Sequence, residues 1–122
     1  MSIRTAYPLA ALFLLSAATQ SVAQRTCKPV LEIKETRMSA IKPPTLERRW
    51  VAELSVDASQ CASQAGRFQI GFTRLMEGGP DLQFTETFDW RPGTLEVSIT
   101  FRADEAVQDY WIAKVAPCPC RQ

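Results

Sequence analysis

The chain has 122 residues, 14 of them basic and 13 acidic, with four cysteines and no histidine. Without histidine, serine and cysteine triads of the usual kind, histidine-ligated zinc and imidazole acid–base work are excluded. The near-neutral balance offers no basic surface for nucleic acid or an anionic membrane, and the lack of asparagine removes any acceptor for an N-linked glycan.

The first residues read as an export signal. Arg4 supplies the positive start, Leu9 to Ala18 an apolar run of ten, and Ser21-Val22-Ala23 the small residues of a cleavage site. A membrane span needs about twenty apolar residues, so residues 1–23 are read as a signal peptide, with no membrane insertion after its removal. Residues 24–122 are then one domain with a single modest core, working in the periplasm or outside the cell. Arg4 is the one charged residue of the first 23, so this domain carries 13 basic and 13 acidic groups.

From Lys28 to Thr36 the chain alternates around Leu31 and Ile33 as a first strand, with Pro29 near its start. Ser39 to Glu47, centred on Pro43-Pro44, is a stiff extended loop suited to carrying the chain from one sheet to another. In the second strand, Arg49 to Asp57, Trp50, Ala52, Leu54 and Val56 share a buried face. A small polar stretch, Ala58 to Gly66, precedes a third strand around Phe68, Ile70 and Phe72, where Gly71 marks a close approach or bulge. Glu77 to Asp81 is a turn by composition.

Leu82 to Trp90 and Leu95 to Phe101 alternate most strictly, with a period of two that argues against helix. Arg91-Pro92-Gly93-Thr94 reverses the chain between them, so this pair is expected to be the one on which the other strands are laid. After a turn at Arg102 to Ala106, Val107 to Val115 makes a last strand. It is apolar on both faces, with Val107, Trp111, Ala113 and Val115 on one and Tyr110 and Ile112 on the other. Six or seven strands without a convincing helix predict an all-β fold, a small antiparallel sandwich of two sheets. The strand order, the tryptophan on the second strand and the Pro92-Gly93 corner resemble the layout of immunoglobulin-like and fibronectin type III domains, which host many unrelated tasks.

Four cysteines in an exported chain of this size predict two disulfides. Alternate residues of an extended strand lie too far apart to bridge, so Cys27 and Cys61 each take one member of the Cys118-Pro119-Cys120 pair, and which takes which stays open. A bridge from Cys27 closes a loop of about 90 residues and adds roughly 4 kcal/mol of stability in the loop-entropy picture. The alternative use of Cys118 and Cys120 is a soft-metal or thiol-redox site, since paired thiolates favour monovalent copper. The tripeptide resembles that of metal-pumping membrane ATPases, but here it lies in a polar tail.

Glu86 falls on an apolar face between Phe84 and Phe88, where an unpaired charge is costly, so it meets an arginine, sits at a bulge or lies at the sheet margin. Glu77, Asp81, Asp104 and Glu105 are read as solvated turn acids, and Arg37, Lys42, Arg48 and Arg49 as a solvated rim around one loop. Trp50 is in phase with the core. Trp90 at a turn, and Tyr110 and Trp111 on opposite faces, are the candidates for an exposed contact surface.

No motif specifies a reaction or a cofactor. The reading is an exported, non-enzymatic binding or accessory module acting on an extracytoplasmic protein or envelope polymer, with a copper-binding or thiol-redox protein as the alternative. A small exported immunoglobulin-like domain with a Cys-x-Cys pair is also similar in layout to the periplasmic accessory proteins of curli assembly, which implies amyloid-subunit binding as one form of that role. Mass spectrometry of protein from the extracytoplasmic fraction is expected to find a chain beginning at Gln24, and an intact Met1 there would refute export by cleavage.

Overall fold

The computed structural model describes residues 25–122, so the expected signal peptide lies outside the described residues. In chain order the strands are β1 (Thr26–Cys27), β2 (Val30–Met38), β3 (Glu47–Asp57), β4 (Gly66–Met76), β5 (Leu82–Trp90), β6 (Gly93–Arg102), β7 (Glu105–Val115) and β8 (Cys118–Pro119). All pairings are antiparallel. They build one sheet of order β2-β3-β6, a second of order β5-β4-β7, and a two-stranded ribbon of β1 and β8.

The central strands β3 and β4 supply most of the core. Trp50, Ala52, Leu54 and Val56 of β3 face Phe68, Ile70 and Phe72 of β4, and Val97 and Phe101 of β6 and Trp90 of β5 close the cluster. These positions fall at alternate residues because successive side chains of a strand point to opposite faces, and each sheet buries the face turned to the other. Phe72 is the hub. Its ring meets Trp50 edge-on at 4.8 Å, stacks on Phe84 at 5.2 Å and touches Phe101 at 6.2 Å.

Two expectations about connectivity change. β5 and β6 do not pair with each other: each is an edge strand, and they lie in opposite sheets. A period of two shows that a strand is half-buried, yet it carries no information about which strand lies beside it. Arg91-Pro92 arches from one sheet to the other, with Gly93 at a φ of 103° where β6 begins. Conversely, the Pro43-Pro44 loop stays within one sheet and closes the β2–β3 hairpin, held by Lys42 N–H donating to the Glu47 carbonyl and Leu46 N–H to the Lys42 carbonyl, both at 3.0 Å.

Bulges explain the two-faced pattern of β7. Against β4, its register skips Gln108 and Ala113, and each extra residue reverses the phase of the residues after it. Val107, Tyr110, Ile112 and Val115 therefore share the inward face, and Trp111 stands outside, opposite Gly71. The expected grouping of Val107 and Val115 with Trp111 assumed an unbroken strand. A third bulge, at Lys34 of β2, turns Leu31, Ile33, Thr36 and Met38 toward the core side of β3.

The C-terminal tail is clamped at one end of the sandwich. Ala62 N–H donates to the Pro119 carbonyl at 2.8 Å, Cys120 N–H to the Arg25 carbonyl at 3.3 Å and Arg121 N–H to the Gln60 carbonyl at 2.8 Å. The disulfides are Cys27–Cys120 and Cys61–Cys118, with Cα atoms 5.0 and 5.5 Å apart. They cross the backbone register, in which Cys27 lies opposite Cys118 and Cys61 opposite Cys120. The first links residues 93 apart, a separation for which loop closure is worth about 4–5 kcal/mol. Reduction is expected to lower Tm by about 15 °C or more, at the usual 4–8 °C per kcal/mol for a domain of this size, as differential scanning calorimetry in the presence and absence of reductant will show.

Candidate functional site

Glu105 and Arg48, read from sequence as a solvated turn acid and a member of a solvated rim, serve in the structure as internal fasteners. Glu105 is buried, at 7% exposure, rather than solvated. Its Oε2 pairs with Arg74 Nη1 at 3.0 Å and its Oε1 accepts the Arg102 N–H at 3.0 Å, while its main-chain carbonyl accepts from the Arg48 guanidinium. Arg48 is thereby drawn off the basic rim. The tight turn at Ala103-Asp104 carries the chain from β6 to β7, so the first residue of β7 must tuck beneath the corner, and its charge has to be met there.

Of the remaining rim cations, Arg37 pairs with Glu96 at 3.6 Å and Arg49 donates to Ser98 Oγ at 2.6 Å. Arg37, Lys42, Arg49, Ser39 and Thr45 line an open hollow of about 300 Å³, but Glu47 lines it too and offsets its charge. Beside it, Glu35, Glu53 and Glu96 stand in one row across β2, β3 and β6. Among the described residues, no group of three or more cysteine or carboxylate side chains is arranged to hold a metal ion. Cys118 and Cys120, candidate thiolates by sequence, are both bridged.

The aromatic candidates divide. Trp90 is not at the surface: it is 1% exposed, because the last residue of β5 pairs with Gly66 and its indole occupies the space where a Gly66 side chain would stand. Trp111 does the same over Gly71 on the outer face of the second sheet and remains half-exposed. Sequence singled out both the tryptophans and Gly71, but only the register joins them. Tyr110, 37% exposed, faces inward at the margin, tilted against Trp50 at 5.4 Å, with its hydroxyl 3.3 Å from Thr36 Oγ1. It ties β7 to β2 and does not project as a platform.

Four strand edges therefore bound the sandwich, and they differ in their protection. On the flank where Tyr110 meets Thr36, β2 and β7 are both bulged, which disrupts the ladder and discourages a further strand. On the opposite flank β5 keeps unbroken register with β4 over nine pairs and β6 with β3 over ten. Their outer backbone groups have no strand partner among the described residues. Across this flank Phe84 and Phe101 stand 6.2 Å apart, and Leu82 beside them is 46% exposed. Glu86 is exposed at this margin, one of the settings its sequence position allowed.

Comparison with known proteins adds no relative: no protein-family model matches the chain, and neither the curated proteins nor the solved structures give a match. Glu105→Ala is expected to destabilise by about 3 kcal/mol, the low end for breaking a buried pair, since Arg74 keeps some solvent contact. Glu105→Gln, able to accept the Arg102 N–H, should lose less, and urea denaturation of the two variants measures the difference.

Proposed function

We propose that the chain is an exported, non-enzymatic binding module with an immunoglobulin-like sandwich layout, acting on another protein outside the cytoplasm. The observation that carries the reading is the open flank of β5 and β6, two long unbulged edges side by side while the opposite edges are both interrupted. Exposed sheet edges recognise extended polypeptide, because alternate residues of an added strand find main-chain hydrogen bonds whatever their side chains. Retaining such edges carries an aggregation hazard that β2 and β7 avoid. The open pair is thus the surface with a cost that a function would justify.

The resemblance in layout to curli accessory proteins, read from the sequence, supports amyloid-forming subunits as one class of partner, since such chains carry segments of high β-propensity that pair along exposed edges. The export signal of residues 1–23 and the disulfides agree with work in an oxidising compartment. A copper or thiol-redox role would instead need free thiolates at Cys118 and Cys120.

The oxidised domain, added below stoichiometry to an unfolded amyloid-forming polypeptide, is expected to lengthen the lag before thioflavin fluorescence rises. Anaerobic titration with monovalent copper should show no tight binding to the same oxidised protein. An unchanged lag, together with tight one-to-one copper binding by the reduced protein that is lost in Cys120→Ser, would overturn the reading in favour of metal or thiol chemistry.

A further inference from the structure

We propose that an extended strand from a partner protein adds to the outer edge of β6, and that Glu86 selects a strand carrying a lysine or arginine between two apolar residues. This rests on the binding-module reading above and gives it a surface and a ligand chemistry. Of the four edges, β6 is the plainest template. It has neither the bulges of β2 and β7 nor the inward-side charge of β5, and its ten register pairs with β3 run without a break. Its alternation is also complete, with Leu95, Val97, Ile99 and Phe101 toward the core and Thr94, Glu96, Ser98 and Thr100 outward.

A strand laid beside β6 would turn its inward side chains toward the inner face of β5, which lies across the sandwich at the Phe84–Phe101 contact. That face presents Leu82, Phe84, Glu86 and Phe88 in alternation, with the two phenylalanines partly buried and Leu82 largely open. Apolar side chains of the incoming strand would cover the rings. Between them they would meet Glu86, which has no ion-pair or hydrogen-bond partner among the described residues. A wholly apolar strand would strip water from that carboxylate without replacing it, whereas a cation at the same position completes it. Glu86 thus guards the edge against indiscriminate pairing and admits one charge pattern.

Short capped peptides of the pattern apolar–Thr–Lys–Thr–apolar, their glutamate counterparts and copies N-methylated on alternate amides, titrated into the oxidised domain, test this. The lysine peptide is expected to bind about five- to tenfold more tightly than the glutamate one, the scale of exchanging an attractive for a repulsive contact between solvent-accessible charges. N-methylation should abolish binding, Glu86→Gln should erase the preference and Glu86→Lys should invert it. Since Glu86 is exposed at a strand margin, both variants should fold, and circular dichroism checks this. Binding that survives N-methylation, or a preference unmoved by Glu86→Lys, would overturn the proposal while leaving a binding module with another surface. Failure of every extended peptide to bind would remove both readings. Self-association in the ultracentrifuge that Glu86→Lys abolishes would assign the edge to a second copy and overturn the partner-strand proposal.

Discussion

The perpendicular contact of the Trp50 and Phe72 rings, 4.8 Å between centroids, joins the central strand of one sheet to the central strand of the other. Phe72 also touches Phe84 of β5 and Phe101 of β6, and Trp50 touches Tyr110 of β7, so five of the six long strands meet in one aromatic cluster. Each large ring contributes roughly 1.5–3 kcal/mol by burial, with about 0.5–1.5 kcal/mol more for each well-oriented ring pair. Set against a net stability of about 5–15 kcal/mol for a domain, the loss of either ring would remove much of what holds the sheets face to face.

Given that contact, the flanks are decided by backbone irregularities. A strand in unbroken register repeats its faces indefinitely, so Val107 and Ile112 could not both reach the core without an inserted residue between them. The bulge at Gln108 allows it, and the one at Ala113 brings Val115 back to the same face. The same insertions, with the one at Lys34, interrupt the outer hydrogen-bonding rows of β7 and β2. Core packing and edge protection on that flank are one feature with two consequences. On the other flank β5 and β6 need no phase correction and keep their edges straight.

The groups that usually signal chemistry are occupied by architecture. Four sulfurs hold the C-terminal tail to residues on either side of it, and Glu105 with Arg48, Arg74 and the Arg102 N–H pins the corner where the chain crosses from β6 to β7. A buried carboxylate with an internal donor on each oxygen is held in one place and has little left to offer a substrate. Among the described residues the outer main chain of β5 and β6 stays without a strand partner, and main chain recognises main chain.

Local alternation sufficed to read the strands from the sequence: the apolar periods around Trp50, Phe68 and Phe84 appear as β3, β4 and β5, and the even set of cysteines as two bridges that both engage the Cys118–Cys120 tail. Physical periodicity is a property of one strand, so it shows which residues are buried without showing against what. The separation of β5 from β6, the burial of Trp90 over Gly66, the withdrawal of Glu105 and Arg48 from solvent and the choice of Cys120 for Cys27 all depend on which segment lies opposite which. That is settled by register and by bulges at Lys34, Gln108 and Ala113, residues whose types announce nothing. Sequence determined the long strands and, in β3 to β6 where no bulge breaks the alternation, their buried faces, because these follow from side chains at fixed spacing; the tertiary structure alone decided the inward face of β7, the pairing, and with it which edges stay open, because pairing is a contest among distant segments for the same hydrogen bonds and the same core.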